Sequence, residues 1–333
     1  LQPQLAATNG AFALWCHGDS AVVTWGFKPF GGDSSAVRDK LRGVHQIQAT
    51  SGAFAAILED GSVITWGHAG CGGDSSAVRD QLRGVRQIQA TGLAFAAILE
   101  DGSVVTWGDA GCGDDSSAVQ DQLKGVQHIQ ATSGGAFAAI LEDGSVVTWG
   151  HVAFGGDSSA VRDLLKGVHQ IQATGSAFAA ILRDGSAVTW GRADNGGDSS
   201  AVQDQLRGVQ QIQSTRNGAF AAILADGSVV TWGDAEVGGD SSAVQDQLKG
   251  VQQIQATDRA FAAILGDGSV VTWGVPHCGG DNSAVRDQLK GVQQIQASRE
   301  AFAAILADGS VVTWGNARLG GDSSAVQDHL RSV

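Results

Sequence analysis

Side chains that can bind a metal ion occur in two short segments of the chain. His68 and Cys71 are three residues apart, and His277 and Cys278 are adjacent. Imidazole and thiolate groups are good zinc ligands, but a structural zinc site needs four ligands and each segment supplies only two. A site shared between Cys71 and Cys112 is the alternative. We therefore expect no metal site from the sequence alone.

Carboxylates and serines recur along the chain without forming a recognisable catalytic set. Aspartates precede glycines at regular intervals, as at Asp60 and Asp101, where the aspartate already has a role in a turn. The recurring Gly-Gly-Asp lacks the lysine of a phosphate-binding loop and places a carboxylate where an anion would bind. No Ser, His and Asp arrangement stands out among so many copies. We expect no enzyme and no cofactor.

All these residues belong to one repeat, whose clearest mark is the phrase Asp-Gly-Ser-Val-Val-Thr-Trp-Gly. Successive copies of its tryptophan are 41 or 42 residues apart. The eight tryptophans are Trp25, Trp66, Trp107, Trp149, Trp190, Trp232, Trp273 and Trp314. This period is too short for separate domains and is typical of one supersecondary unit that buries its apolar faces against its neighbours. We predict a single domain over residues 1–333.

Each repeat contains three segments with strand patterns. In the repeat that begins at Gly208, Val-Gln-Gln-Ile-Gln-Ser-Thr alternates in polarity, Ala-Phe-Ala-Ala-Ile-Leu is apolar, and Ser-Val-Val-Thr-Trp is β-branched and aromatic. Asp226-Gly227 predicts a tight antiparallel hairpin, because both residues can take positive φ. Asp240, Ser241 and Ser242 then favour the start of a helix of about two turns, which ends at Gly250.

Small sheets with two apolar faces must stack, either as a radial propeller or as an open solenoid. An open array needs polar end caps, and the sequence shows none. The expected fold is therefore all-β with short helices: a closed β-propeller of eight units of about 41 residues, each with three strands and a short helix. The C-terminal segment His-Leu-Arg-Ser-Val is expected to join the N-terminal strand and close the ring.

Charge and hydropathy exclude some partners. The chain has 21 basic and 34 acidic residues and a net charge of −13, so we expect neither nucleic-acid binding nor attraction to anionic membranes. The sequence has no run of 18 consecutive apolar residues, so we predict no membrane-spanning helix. The chain contains no methionine, even at position 1, which indicates a processed organellar or secreted chain, or a partial sequence; a cytoplasmic location is the alternative.

The phrase Asp-Gly-Ser-Val-Val-Thr-Trp-Gly, preceded by an apolar strand and by Gly-Val-Gln-Gln-Ile-Gln-Ala-Thr, resembles the propeller repeat of the regulator of chromosome condensation family. The short repeat is most similar to the compact version in the bacterial β-lactamase inhibitory protein of that fold. The resemblance implies a propeller over essentially the whole chain. Family members usually have seven blades, so seven blades plus an extra unit is the alternative to eight. The chain has Gly-Gly-Asp-Ser-Ser where the family usually has Gly-Gln-Leu-Gly.

Differences between the repeats are concentrated at two places. The first, which we name the turn site, follows the first strand of each repeat, and the second, which we name the quartet, follows Trp-Gly. The quartets are residues 27–30, 68–71, 109–112, 151–154, 192–195, 234–237, 275–278 and 316–319. The strand directions place both sites on one edge and the uniform Asp-Gly turns on the other. A constant frame with varied loops along one edge is typical of a binding surface, although loops also vary where nothing constrains them.

We therefore predict a non-catalytic scaffold that binds another protein or protein complex through these loops. The early loops offer aromatic side chains and the later ones arginines, two types common at interface hot spots. Val237 and Leu319 also stand among the apolar loop tips. The candidate partner-binding residues are Phe27, Lys28, Phe30, His68, His151, Phe154, Arg192, Arg216, Glu236, Arg259, His277, Arg299 and Arg318. A small-ligand or glycan-binding propeller is one alternative, and a guanine-nucleotide exchange factor, implied by the resemblance alone, is another.

Overall fold

The structure, a computed structural model, describes residues 3–16 and 21–326. Within these ranges the chain forms eight three-stranded antiparallel sheets, each made of three consecutive strands in sequence order. The sheets are divided equally between two compact units, Leu1–Gly167 and Val168–Val333. The fold class and the repeat are therefore those that the sequence predicts: propeller-type blades of three strands with only short helices.

The strands agree closely with the three predicted segments of each repeat. Those of the N-terminal unit are β1 Pro3–Ala7, β2 Ala11–Cys16, β3 Val23–Gly26, β4 Val44–Ala49, β5 Ala53–Leu58, β6 Val63–Gly67, β7 Val85–Ala90, β8 Ala94–Leu99, β9 Val104–Gly108, β10 Val126–Ala131, β11 Ala136–Leu141 and β12 Val146–Gly150. Those of the C-terminal unit are β13 Val168–Ala173, β14 Ala177–Leu182, β15 Ala187–Gly191, β16 Val209–Ser214, β17 Ala219–Leu224, β18 Val229–Gly233, β19 Val251–Ala256, β20 Ala260–Leu265, β21 Val270–Gly274, β22 Val292–Ala297, β23 Ala301–Leu306 and β24 Val311–Gly315.

The helices within the described ranges are all 3-10 helices of three to six residues. The predicted helix of about two turns is found as a six-residue 3-10 helix at Ser200–Gln205 and Ser242–Gln247. It is shorter than predicted, with three residues, at Arg38–Lys40, Ser76–Val78, Gln120–Gln122, Ser159–Val161 and Ser324–Val326, and residues 283–288 of the seventh repeat form turns and no helix. A second set, which the sequence did not predict, lies in the quartets at Lys28–Phe30, Ala69–Cys71, Ala110–Cys112, Val152–Phe154, Ala193–Asn195, Ala235–Val237, Pro276–Cys278 and Ala317–Leu319. None of these helices has the length and apolar character that crossing a membrane requires.

The Asp-Gly turn joins the second and third strands of a sheet. At Asp60-Gly61, Gly61 has φ 74°, and no described residue other than glycine has a positive φ. The Gly61 N–H donates to Leu58 O, and the Leu58 N–H donates to Ser62 O, both at 2.9 Å. This is a three-residue loop with glycine in the left-handed position. The predicted tight hairpin is therefore present, and of its Asp-Gly pair only the glycine takes a positive φ.

Acid is expected to destabilise these turns. Asp60 Oδ1 accepts bonds from Ser62 Oγ at 2.6 Å and Ser62 N–H at 2.9 Å, and the side-chain bond is the larger cause of the lowered pKa of Asp60. The unfolded chain then binds more protons in acid, so the stabilisation is present above about pH 4 and is lost as the pH falls. We expect the free energy of unfolding, measured with urea from about pH 7 to about pH 3, to fall mainly below about pH 4. A fall centred near the histidine range, about pH 6.5, would contradict this explanation.

The core lies between successive sheets. One face of β5 presents Ala53, Ala55 and Ile57, and these side chains pack against Phe95 of β8 and Trp107 of β9 in one buried cluster. The same arrangement recurs between β17 and the β20–β21 hairpin. Each interior sheet thus covers the Phe-Trp face of the next sheet in its unit, which explains why the second strand is apolar on both faces.

The aromatic pair of the third sheet is held by the preceding repeat of the same unit. Phe95 and Trp107 stack with ring centroids 5.2 Å apart. The indole Nε1–H of Trp107 donates to Gly72 O at 3.0 Å. Gly72 has φ 88°, and a Cβ at this position would lie 2.6 Å from Phe95 Cδ2. The first glycine of Gly-Gly-Asp is therefore required by close packing as well as by its backbone conformation.

The first and last sheets each have one more exposed face. Phe12 and Trp25 are 41% and 44% exposed, whereas Phe95 and Trp107 are 0% and 4% exposed. Ile305 in β23 is 41% exposed, whereas its counterpart Ile98 is fully buried. The predicted closing segment, residues 329–333, lies outside the described residues. Ring closure stays a prediction.

Candidate functional site

The two variable sites are in contact in every repeat. The N–H of the first quartet residue donates to a carbonyl of the turn site, as from His68 N to Gly52 O at 2.8 Å. The same bond recurs in all eight repeats, from Phe27 to Gly10, Asp109 to Leu93, His151 to Gly135, Arg192 to Ser176, Asp234 to Gly218, Val275 to Arg259 and Asn316 to Glu300. The prediction that strand direction brings turn site and quartet to one edge of a sheet therefore agrees with the geometry.

A threonine or serine follows the first strand of every repeat, and its hydroxyl can donate a hydrogen bond to the last carbonyl of the quartet. This role was not predicted from the sequence. Thr50 Oγ1 donates to Cys71 O at 2.9 Å and accepts from Ala53 N–H at 3.0 Å. Thr257 Oγ1 makes the corresponding bond to Cys278 O at 3.1 Å, and Ser298 Oγ does so to Leu319 O at 2.8 Å. The invariant position of this hydroxyl before each variable turn was a signal that could have found it.

Neighbouring turn sites are also joined. In the N-terminal unit, Asn9 N–H donates to Ser51 O at 3.0 Å, and Ser51 N–H donates to Gly92 O at 2.8 Å. In the C-terminal unit, Asp258 N–H donates to Arg299 O at 2.9 Å. Within each unit the varied side chains therefore stand on a frame of backbone hydrogen bonds. We name the turn sites and quartets of a unit its variable rim.

The variable rim of the N-terminal unit is aromatic. Phe27, which is 55% exposed, contacts Phe30 edge to face at a centroid distance of 5.1 Å. Phe30 in turn contacts His68 of the next repeat at 6.4 Å. His151 stacks on Phe154 at 4.3 Å. This rim therefore offers partly exposed rings that are already held in place.

The variable rim of the C-terminal unit carries arginines. Arg192 pairs with Asp194 at 3.3 Å, and Arg299 pairs with Asp258 at 3.1 Å. The three other arginines of this rim, Arg216, Arg259 and Arg318, are exposed and form no ion pair with any carboxylate in the described ranges. They are the cations on this rim that remain available to an acidic partner.

Eleven of the thirteen candidate residues are exposed, and the other two, Phe30 and Phe154, are partly buried. Both occupy the fourth quartet position, where the side chain turns inward. Cys71, Val237 and Cys278 occupy the same position and are 8%, 7% and 0% exposed. Val237 is therefore not a loop tip as predicted, because it lies in the same buried cluster as Phe261 and Trp273 of the next repeat. Leu319 remains 41% exposed.

Two similar grooves lie on the N-terminal unit, and the second of them is lined in part by the quartet residue Val152. One, of about 370 Å³, is lined by Asp74, Ser75 and Arg79 among others, and the other, of about 290 Å³, by the corresponding Asp157, Ser158 and Arg162. Neither groove is lined by an aromatic side chain. Sugar sites usually place a ring against an aromatic face, so these grooves do not have the composition of a glycan site.

No family model matches the sequence, and no curated protein matches it. Solved structures do resemble it. The computationally designed Ika8 protein is 14% identical over 93% of this chain and 95% of its own, with a TM-score of 0.42. Prp20p from Saccharomyces cerevisiae is 17% identical over 75% of this chain and 79% of its own, with a TM-score of 0.45. The CRINKLY WD40 ectodomain of the Arabidopsis thaliana receptor kinase ACR4 is 14% identical over 79% of this chain and 92% of its own, with a TM-score of 0.41.

The repeated three-stranded sheets have the strand order that the sequence resemblance implies. Repeats of this chain have an apolar middle strand, an Asp-Gly loop and a third strand that ends in Trp-Gly. At identities below 20%, the likeness concerns fold alone.

Proposed function

We propose that this chain is a non-catalytic scaffold that binds another protein through its variable rims. The main support for this proposal is that the backbone hydrogen bonds of the variable sites are constant from repeat to repeat while their side chains vary. The same hydrogen bond joins turn site and quartet in all eight repeats, whereas the side chains on these segments differ. Loops held by a rigid frame lose little conformational entropy on binding, which favours affinity.

The chemistry of the rims favours a protein partner. Exposed phenylalanine and arginine are enriched at interface hot spots. Phe27 and the arginines without ion pairs, Arg216, Arg259 and Arg318, are therefore the proposed anchors. Among the similar solved structures, Prp20p has been studied for its binding to Gsp1p and histones, and yeast Prp20 forms a complex with Kap60. Gsp1p, histones and Kap60 are partners of Prp20. For this chain, the reason to expect a protein partner is the chemistry of its variable rims.

The two rival functions have less support. A glycan-binding propeller would need aromatic pockets, and the two grooves described above have none. An exchange factor for a small GTPase would, by family analogy, need a protruding wedge between blades, whereas the variable sites are turns and quartets of a few residues. A glycan array and a nucleotide-exchange assay test these two alternatives directly.

A matched pair of double variants tests the proposal. Arg216→Ala with Arg259→Ala removes two positive charges from the rim, and Arg183→Ala with Lys249→Ala removes two from the opposite edge, beside the Asp-Gly turns. Proteins captured from the native source are identified with the wild-type chain, and their Kd values are then measured with each variant. Each hot-spot arginine contributes about 2 kcal/mol, so the rim variant is expected to weaken binding at least about thirtyfold and the control variant by less than about threefold.

Equal binding by the two variants would contradict the proposal for the C-terminal rim. Phe27→Ser provides the same test for the aromatic rim, because Phe27 is exposed and its loss leaves no buried cavity. Circular dichroism and a urea midpoint for every variant separate lost binding from lost folding.

A further inference from the structure

One rim cluster combines three metal-binding side chains from two repeats. His277 and Cys278 belong to the quartet after β21, and Glu300 belongs to the turn site after β22. Their ligand atoms all lie within 4.8 Å of one another. The sequence showed only His277 and Cys278 as a pair, because Glu300 belongs to the next repeat.

The donor set selects a particular class of cation. A thiolate sulfur, an imidazole nitrogen and a carboxylate oxygen suit zinc and similar borderline-soft ions, whereas calcium and magnesium prefer oxygen ligands alone. With zinc bonds of about 2.0 to 2.3 Å, tetrahedral ligand atoms stand roughly 3.3 to 3.8 Å apart. Side-chain shifts of about 1 Å would close the present cluster to that spacing, and the His277 side chain is exposed.

We infer that His277, Cys278 and Glu300 form a binding site for a zinc-type divalent cation on the rim of the C-terminal unit. Three protein ligands leave the fourth tetrahedral position to water. On binding, the Cys278 Sγ–H bond breaks, the proton passes to solvent, and the thiolate sulfur forms the bond to the metal. No oxidation or reduction is involved.

The surroundings of the cluster hold its ligands in place. Cys278 is fully buried, its O accepts a bond from Thr257 Oγ1 at 3.1 Å, and its N–H donates to Val275 O at 3.1 Å. Asn316 Nδ2 donates to Glu300 Oε2 at 2.7 Å, which orients the carboxylate in the way that outer partners commonly orient metal ligands. The cysteine and the carboxylate are therefore positioned before the metal binds.

Burial raises the pKa of the Cys278 thiol, the nearby charges of Glu300 and Asp258 also raise it, and Arg259 acts in the opposite direction.

The chain contains its own comparison site. His68 Nδ1 and Cys71 Sγ lie 3.6 Å apart in the quartet after β6. The position that corresponds to Glu300, directly before the next second strand, is Leu93 in this case. Among the described residues, His277, Cys278 and Glu300 form the one group of three ligands within this distance. The His68-Cys71 pair therefore controls for any effect of two ligands alone.

Titration of the full chain with Co²⁺ as a spectroscopic substitute for zinc tests the inference. We expect one equivalent to bind with a thiolate-to-cobalt charge-transfer band in the near ultraviolet and with visible bands typical of tetrahedral cobalt, and we expect Zn²⁺ to displace it. Cys278→Ser should abolish the charge-transfer band, and Glu300→Gln should weaken binding at least about tenfold. Asn316→Ala should weaken binding about 10- to 100-fold, whereas Cys71→Ser should leave the titration unchanged.

Other results would overturn the inference. A charge-transfer band that survives Cys278→Ser, or that Cys71→Ser removes, would assign the metal to another thiol. The absence of cobalt binding to the folded wild-type chain at micromolar protein would refute the site. Circular dichroism of each variant without metal shows whether the fold is intact, and these tests do not depend on whether the rim binds a protein.

Discussion

Replacing Phe95 with alanine is expected to lower the free energy of unfolding by about 3 to 5 kcal/mol. Phe95 is fully buried, stacks on Trp107 at 5.2 Å and packs against the Ala53, Ala55 and Ile57 face of the preceding sheet. Truncation leaves a cavity between two sheets whose hydrogen-bonded strands cannot move together to fill it. Urea denaturation, followed by circular dichroism and by tryptophan fluorescence, measures the loss.

Phe12 provides the matched control. It occupies the same position in the first repeat and stacks on Trp25 at 5.3 Å, but it is 41% exposed. Phe12→Ala therefore removes the same side chain and the same stacking without opening a closed cavity, and the expected loss is about 1 kcal/mol. Similar losses for both variants would show that stacking within a sheet, and not packing between sheets, supplies most of the stabilisation.

The second large effect is expected at the glycine of an Asp-Gly turn. Gly227 has φ 77°, and a Cβ there would lie 2.9 Å from the Cα of Gly250. Gly227→Ala must therefore adopt a left-handed conformation, which costs about 1 to 2 kcal/mol, and must also displace a neighbouring backbone, which costs about 1 to 3 kcal/mol more. The sum of about 2 to 5 kcal/mol is measurable as a shift of the urea midpoint.

Gly309 separates these two costs. It stands in the same turn of the last repeat with φ 82°, but a Cβ there meets no atom of residues 3–16 and 21–326 within 4 Å. Gly309→Ala is expected to show only the conformational cost, about 1 to 2 kcal/mol. If Gly309→Ala were as damaging as Gly227→Ala, the contact between each turn and the glycine that precedes the next first strand would not matter for stability.

Much of this fold follows from the sequence, because the repeat supplies eight parallel tests of each pattern. The run Ala-Phe-Ala-Ala-Ile-Leu predicted the middle strand, and β17 has the bounds Ala219–Leu224. The quartet helices were missed, because four residues that differ in every repeat show no apolar periodicity. The Asp-Gly loop was found at the right place, but its length did not follow from the sequence, since the same dipeptide suits both a two-residue and a three-residue hairpin loop.

The site was harder to predict than the fold. Strand direction was enough to place turn site and quartet together, and Phe27 is exposed as predicted. The burial of Val237 depends on packing with Phe261 and Trp273 of the next repeat, which side-chain polarity does not reveal. Glu300 was overlooked as a metal ligand because its nearness to Cys278 arises from packing between repeats, 22 residues apart in the sequence.

The near-identity of the sheet faces has a consequence for assembly. The Ala-Ile face that covers Phe95 has the same side chains as the face that covers Phe261. Contacts between sheets therefore do not distinguish the native neighbour of a sheet from another sheet of the same chain. Only the covalent linkage specifies the order. During synthesis each new repeat meets its predecessor first, which favours the native order. In refolding from denaturant at high concentration, sheets of different molecules compete for the same faces, and entangled aggregates are the characteristic failure of such a chain.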